Sequence, residues 1–182
     1  MRRLAWLVAL LPCVAGAQGA RNPTPQQGVN PMQFGAKCDG ATDDAAAITA
    51  AIASAKTKGL PVLLPAATCA YGAVLTLDGV KMVGRGDASM LCALDPSREV
   101  IFMLGSGPEV RSLKLAGVRP TKRAAPWEGA RIVAFGASKF VIDNVTIDGS
   151  TATGIQTARG ATEGVISNNR ISNTLADGIH IT

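Results

Sequence analysis

The sequence predicts an all-β protein built as a parallel β-helix with one α-helix near its start. Three observations lead there. Beyond Pro61 the chain runs in short β-branched or aliphatic stretches broken by Gly, Asp, Asn and Ser, the pattern of many short strands. Two separate segments repeat at one common offset, which carries position 141 onto 165 and position 154 onto 178. A single stretch before Pro61 carries every local mark of a helix.

That helix is expected over residues 43–58. Thr42 stands at the N-cap, and Asp43 and Asp44 fall in the first turn, where carboxylates meet the positive end of the macrodipole. Ile48, Ile52 and Ala55, with Ala45 and Ala51, set one apolar stripe along it. Lys56 and Lys58 suit its last turn, Gly59 the position just beyond, and Pro61 stops it. Ahead of the helix, Phe34-Gly35-Ala36 reads as a short strand and Cys38-Asp39-Gly40 as a turn.

The strands expected after Pro61 are Val62–Leu64, Val74–Leu77, Val80–Val83, Met90–Leu94, Val100–Leu104, Val110–Leu115, Ile132–Phe135 and Phe140–Ile147. Gly154–Thr157, Val165–Ile171 and Gly178–Ile181 follow. Such a series suits a sandwich, a barrel or a solenoid, and a fixed repeat length separates them. Val141-Ile142-Asp143-Asn144-Val145-Thr146-Ile147 aligns with Val165-Ile166-Ser167-Asn168-Asn169-Arg170-Ile171, and Gly154-Ile155-Gln156 aligns with Gly178-Ile179-His180 at the same offset and without a gap. A repeat of that length fits one coil whose strands pair with those of the next coil, with equivalent residues about 4.8 Å apart. Asn144 then lies over Asn168 as a hydrogen-bonded ladder. The stretch 116–131 interrupts the pattern and reads as a loop on one flank.

Residues 1–17 stand outside the coil. Arg2 and Arg3 precede the apolar run Leu4 to Leu11, and Ala15-Gly16-Ala17 offers a small-residue cleavage site. This is the pattern of a secretory signal peptide cut after Ala17, its apolar part too short to span a bilayer. It predicts a secreted or periplasmic protein. Residues 18–28 read as a flexible leader and 29–182 as the coil domain. Residues 18–182 are enough for one domain with a sizeable core, and losing Arg2 and Arg3 makes the net charge of +5 less basic. No Arg/Lys-rich stretch carries interleaved aromatics, so nucleic acid is not an expected partner. No later segment is apolar enough to cross a membrane, and nothing in the sequence sets an oligomeric state. Of Cys38, Cys69 and Cys92, two can pair in an oxidising compartment, as Cys38–Cys69 or Cys69–Cys92. No Cys-x-x-Cys or His cluster suggests a structural zinc site.

The run from Phe34-Gly35-Ala36 through Asp39-Gly40-Ala41-Thr42-Asp43-Asp44 to Ala51-Ile52 resembles the opening motif of the pectate-lyase-like superfamily, with its rhamnogalacturonase/epimerase-like enzymes, polygalacturonases and phage tailspikes. Leu64-Pro65-Ala66-Ala67-Thr68-Cys69-Ala70-Tyr71 and Val80–Gly86 resemble the two segments that follow it there. The resemblance covers roughly 29–182. It implies a right-handed coil whose N-terminal end is capped by helix 43–58. Cys38 replaces the family's usual Gly, and Ala67-Thr68-Cys69 lacks the usual Gly before Thr. Both departures introduce or adjoin a cysteine, which argues for a Cys38–Cys69 bridge. Asp39, Asp43 and Asp44 belong to a turn and a helix start, and so read as structural.

The resemblance also implies a role: action on an acidic polysaccharide, pectin- or alginate-like, as hydrolase, lyase or epimerase. The alternative is a non-catalytic glycan-binding, adhesin-like or tailspike-like β-helix. If Ile179 and Ile181 face the core, His180 points outward over Gln156, and Asp177 lies over Thr153. Asn173 to Ile179 faintly resembles the polygalacturonase segment that carries an acid/base Asp, which marks Asp177, with His180, as the catalytic candidates. Hydrolysis needs a second carboxylate across the bond. A lyase uses a base, for which Arg159 and Arg170 are available, and a cation. No cofactor is identified otherwise; Ca²⁺ belongs to the lyase reading, with Asp143 and Asp148 as conceivable ligands, though their spacing resembles no Ca²⁺ loop. For substrate binding, Trp127 offers a stacking ring, Arg119, Lys122, Arg123 and Arg131 offer partners for uronate carboxylates, and Gln156 completes the set. A last coil open at Thr182 presents an unpaired edge. The chain is therefore expected to be the N-terminal part of a longer β-helix, inactive alone.

Overall fold

The structure, a computed structural model, describes residues 27–95, 100–117, 121–123 and 130–182. Its strands wind as a parallel β-helix with three ladders. The first joins β2 (Val62–Leu63), β5 (Lys81–Val83), the front of β8 (Glu109–Gly117), the front of β10 (Val141–Ser150) and β12 (Val165–Ser167). The second joins β1 (Asp39–Asp43), β3 (Thr68–Tyr71), β6 (Met90–Ala93), the rear of β8 and β10, and β13 (Arg170–Thr174). The third stacks β4 (Leu75–Asp78), β7 (Ile101–Leu104), β9 (Ile132–Phe135), β11 (Ile155–Ala158) and β14 (Ile179–His180). Every pair is parallel, so each coil returns to the same sheet one turn later.

The offset of the sequence repeat is the register itself: Val141 pairs with Val165, Ile147 with Ile171 and Gln156 with His180. Period-2 alternation sends one column of each ladder inward. Leu75, Ile101, Ile132 and Ile155 stack inside the third, Met82, Val110 and Ile142 inside the first, Leu91, Leu115 and Ile147 inside the second, all fully buried. Each such side chain contributes about 1.5–3 kcal/mol relative to exposure.

The corner between the first two ladders is a column of left-handed residues, Ser112, Asn144 and Asn168, with φ of 52°, 53° and 55°. Asn accepts this conformation more readily than most residues. The two asparagines stack as expected, but their amides do not bond to each other. Asn144 donates to the Ser112 hydroxyl at 3.2 Å and Asn168 to the Asp143 carboxylate at 2.8 Å. The neighbouring Asn169 instead bridges the coils, accepting Val145 N–H and donating to Ile142 C=O, both at 2.9 Å.

The helix α1 runs Ala45–Lys58 and buries Ala45, Ile48, Ala51, Ile52 and Ala55 against the first coil, as expected. Gly59, at φ 63°, closes it by donating to the Ala55 and Lys56 carbonyls, and Lys56 pairs with Asp78. Its start differs from expectation. Asp44 occupies the N-cap, and residues 39–43 form β1, because pairing with β3 outweighs the helix-start signals. Thr42 turns its hydroxyl to Asp39 at 2.8 Å, while Asp43 accepts Ala45 N–H and Gly72 N–H at 3.0 Å each. The strand expected at Phe34-Gly35-Ala36 is replaced by a 3₁₀ turn, Pro31–Phe34, opened by Asn30 and closed by left-handed Gly35. Cys38 and Cys69 form the disulfide, and Cys92 is free. The residues read as signal peptide, 1–17, and all of the leader except Gln27 and Gly28 lie outside the described residues.

Candidate functional site

The outer face of the third ladder gathers the expected site residues. Ile155 is in the core; its register partner Ile179 takes the same side of the ladder but is 47% exposed, and Ile181, also expected to face the core, is 66% exposed, while Gln156 and His180 take the other side together. The stretch before β14 brings Asp177 back onto His180: Oδ2 lies 2.9 Å from Nδ1, with the two side chains 62% and 43% exposed. An ionised carboxylate only accepts, so against one the Nδ1–H of His180 is the donor in this contact. A residue three positions away thus holds the ring through Nδ1.

Other expected residues are placed differently. Gln156 faces outward yet is only 4% exposed, and its Oε1 has no hydrogen-bond partner among the described residues. Arg131, expected as a surface cation, is fully buried, and its Nε donates to the Gly149 carbonyl at 2.6 Å. Its aliphatic stem and guanidinium fill the space over Gly117, where a Cβ would lie 2.6 Å from Nη2. Lys122 and Arg123 are exposed. Arg119 and Trp127 lie outside the described residues.

The Ca²⁺ candidates do not fit a cation. Asp143 accepts Ser167 Oγ at 2.7 Å, Asn168 Nδ2 at 2.8 Å and the Arg111 guanidinium at 3.0 Å. These donors, Ser167 first, hold its carboxyl below the usual range, and the adjacent guanidinium opposes a second cation. Asp148 is likewise engaged by Asn173 at 2.7 Å and Ser172 at 3.4 Å. Glu109 closes this row, taking Arg111 at 2.6 Å and Lys81 at 2.7 Å. Burial raises the Glu109 carboxyl, but the bonds from Lys81 and Arg111 outweigh it and leave it low. Arg170 is exposed, and Arg159 sits 5.7 Å over the Phe135 ring.

Phe135 in turn meets Phe102 edge to face, centroids 5.8 Å apart, planes at 86°. Neither ring was marked by the sequence. Their pairing is set by register, because Phe102 stacks on Val133 beside Phe135. Only the length of that turn, from Ile101 to its partner Ile132, would have revealed it.

The fold defines the class: a parallel β-helix of the pectate-lyase-like kind, with Asp177 and His180 in contact on one outer ladder. Residues 28–101 match the family described as Rhamnogalacturonase A/epimerase, pectate lyase-like. The catalytic domain of Agl-KA superposes with a TM-score of 0.64 at 18% identity, over 87% of this chain and 34% of that one. An α-1,3-glucanase catalytic unit from Streptomyces thermodiastaticus gives 0.60 at 19%, over 87% and 33%. The A-module of the Azotobacter vinelandii mannuronan C-5 epimerase AlgE4 gives 0.57 at 20%, over 84% and 53%. At these identities the likeness is one of fold, and the chain spans about a third to a half of these three proteins. No curated protein matches it in sequence. Among the described residues no helix is long and apolar enough to cross a membrane.

Proposed function

We propose that this chain belongs to an exported polysaccharide-acting β-helix whose acid–base pair is Asp177 and His180. The Asp177–His180 contact on an exposed outer face carries the reading. With Nδ1 held by Asp177, His180 Nε2 accepts a proton from a substrate carbon or hydroxyl, and the carboxylate stabilises the imidazolium that forms. Below Asp177 in its column stands Thr153, and below His180 stand Gln156, Val133 and Phe102. These columns hold no second carboxylate among the described residues. A paired-carboxylate hydrolysis therefore fits the face less well than abstraction of the proton alpha to a uronate carboxylate, the step shared by lyases and epimerases. The family match and the neighbours, hydrolases and an epimerase alike, support action on polysaccharide, and the choice among reactions rests on the face itself. Export is supported by the Cys38–Cys69 disulfide, a bond of oxidising compartments, together with the pattern of residues 1–17.

The test compares Asp177→Asn and His180→Gln with the parent, in the whole protein that carries this chain, on polygalacturonate, alginate and α-1,3-glucan, following unsaturated uronates, C-5 inversion and reducing ends. Turnover that falls about 10²–10⁴-fold in both variants, with KM little changed, is expected. Equal turnover in the variants sinks the acid–base assignment. Binding without any turnover selects the glycan-binding alternative instead.

A further inference from the structure

We infer that the outward face of α1 is an interface between two copies of this protein, paired antiparallel about a two-fold axis near Ala50. It is independent of the acid–base pair. A helix lying on the surface of a domain ordinarily turns charged residues to solvent. Between Ala45 and Ala55 this helix has none, yet Ala46, Thr49, Ala50, Ala53 and Thr57 are exposed. Ala45, Ile48, Ala51, Ile52 and Ala55 already fill the side turned to the first coil, so α1 is apolar on both sides. A shallow groove of about 620 Å³ follows the outer side from Asp43 to Ala53, with Ala73 on its rim. Beside Ala73, Val74 is 42% exposed and extends the apolar surface past the helix.

Spacing and charge select the occupant. Ala46, Ala50, Ala53 and Thr57 recur at alternating steps of four and three, the spacing of a seam between two helices. Side chains this small bring two axes toward the short end of the roughly 8–10 Å range. The two ends of the seam carry opposite charge. Asp43 precedes it and Lys58 follows it, both exposed and at similar distances from Ala50. Both bonds that Asp43 accepts end on Oδ1, which leaves Oδ2 open to a cation. Lys56 is taken by Asp78, whereas Lys58 has no ion-pair partner among the described residues. Antiparallel pairing lays the Asp43 of each copy beside the Lys58 of the other, while parallel pairing sets like charges together. A 14-residue helix is about 21 Å long. One such face is small beside the roughly 800 Å² per partner of stable complexes, so the pair forms and parts with concentration.

The test follows molar mass by sedimentation from about 1 μM to 1 mM in the whole protein that carries this chain. Circular dichroism confirms that each variant is folded. The parent is expected to pass from one copy to two across that range. Ala50→Glu, which meets its own image at the axis, is expected to remain a single copy. Lys58→Glu is expected to weaken pairing about tenfold. On a Cys92→Ala background, Ala50→Cys is expected to crosslink to itself on mild oxidation, and Ala46→Cys to crosslink with Ala53→Cys. The interface is overturned if the parent stays a single copy throughout, or if Ala50→Glu pairs as tightly as the parent. Ala46→Cys joining to itself in preference to Ala53→Cys overturns the antiparallel arrangement.

Discussion

Asp44 holds Cys38 from within the N-terminal cap: its Oδ2 accepts the Cys38 backbone N–H at 3.0 Å, and its Oδ1 that of Lys37 at 2.7 Å. The side chain is 2% exposed, so water cannot replace these bonds. One carboxylate thereby joins the start of α1 to the segment that the disulfide ties to β3. Asp44→Ala leaves two donors unmatched and is expected to cost about 3 kcal/mol, a fall in Tm of roughly 10 °C for a domain this size. Asp44→Asn keeps one acceptor and is expected to lose less. Thermal unfolding followed by circular dichroism decides it; an unchanged Tm in Asp44→Ala contradicts this role.

Asp39 makes the same loop sensitive to acid. The backbone N–H of Thr42, then that of Ala41, then the Thr42 hydroxyl all donate to its carboxylate. Together they hold its pKa at about 2 against an ordinary 3.8. A depressed folded-state value contributes stability that is present above pH 3.8 and is lost as the pH falls toward 2. The Tm difference between the parent chain and Asp39→Asn is therefore expected to be constant above that window and to shrink through it. A difference independent of pH rules the linkage out.

Gly164 has a steric reason to be glycine. A Cβ built there lies 2.0–2.5 Å from atoms of the Phe140 ring, itself 3% exposed. Gly164→Ala forces the ring out of place and is expected to cost about 1–3 kcal/mol. Phe140→Leu in the same chain gives the new methyl room, so the pair is expected to be less destabilising than the two single changes added. Strict additivity in denaturant unfolding removes the steric explanation.

The coil and the helix were legible because both rest on local or periodic signals. Ile48, Ile52, Gly59 and Pro61 announce α1 within a few residues of each other, and the match of 141–147 to 165–171 is the register written out. What lay hidden depends on what is stacked on what. Asp39–Asp43 looks like a turn feeding a helix and becomes a strand only because β3 lies beside it. Gln156 and Arg131 are polar in sequence and buried in the fold. The outward direction of His180 and its pairing with residue 156 followed from alternation and repeat, whereas its contact with Asp177 needed the path of the stretch between them. Phe102 and Phe135 meet across a turn longer than the repeat, so no fixed offset points to either.

The turn from Glu109 to its partner Val141 is longer than the one from Val141 to Val165, yet the ladders keep their register through both. The surplus falls between Gly117 and Ile132, away from the left-handed corner at Ser112, Asn144 and Asn168. Loop length alters closure entropy only slowly. The coil therefore tolerates turns of unequal length, because register is kept by the paired strands and not by the residues that join them.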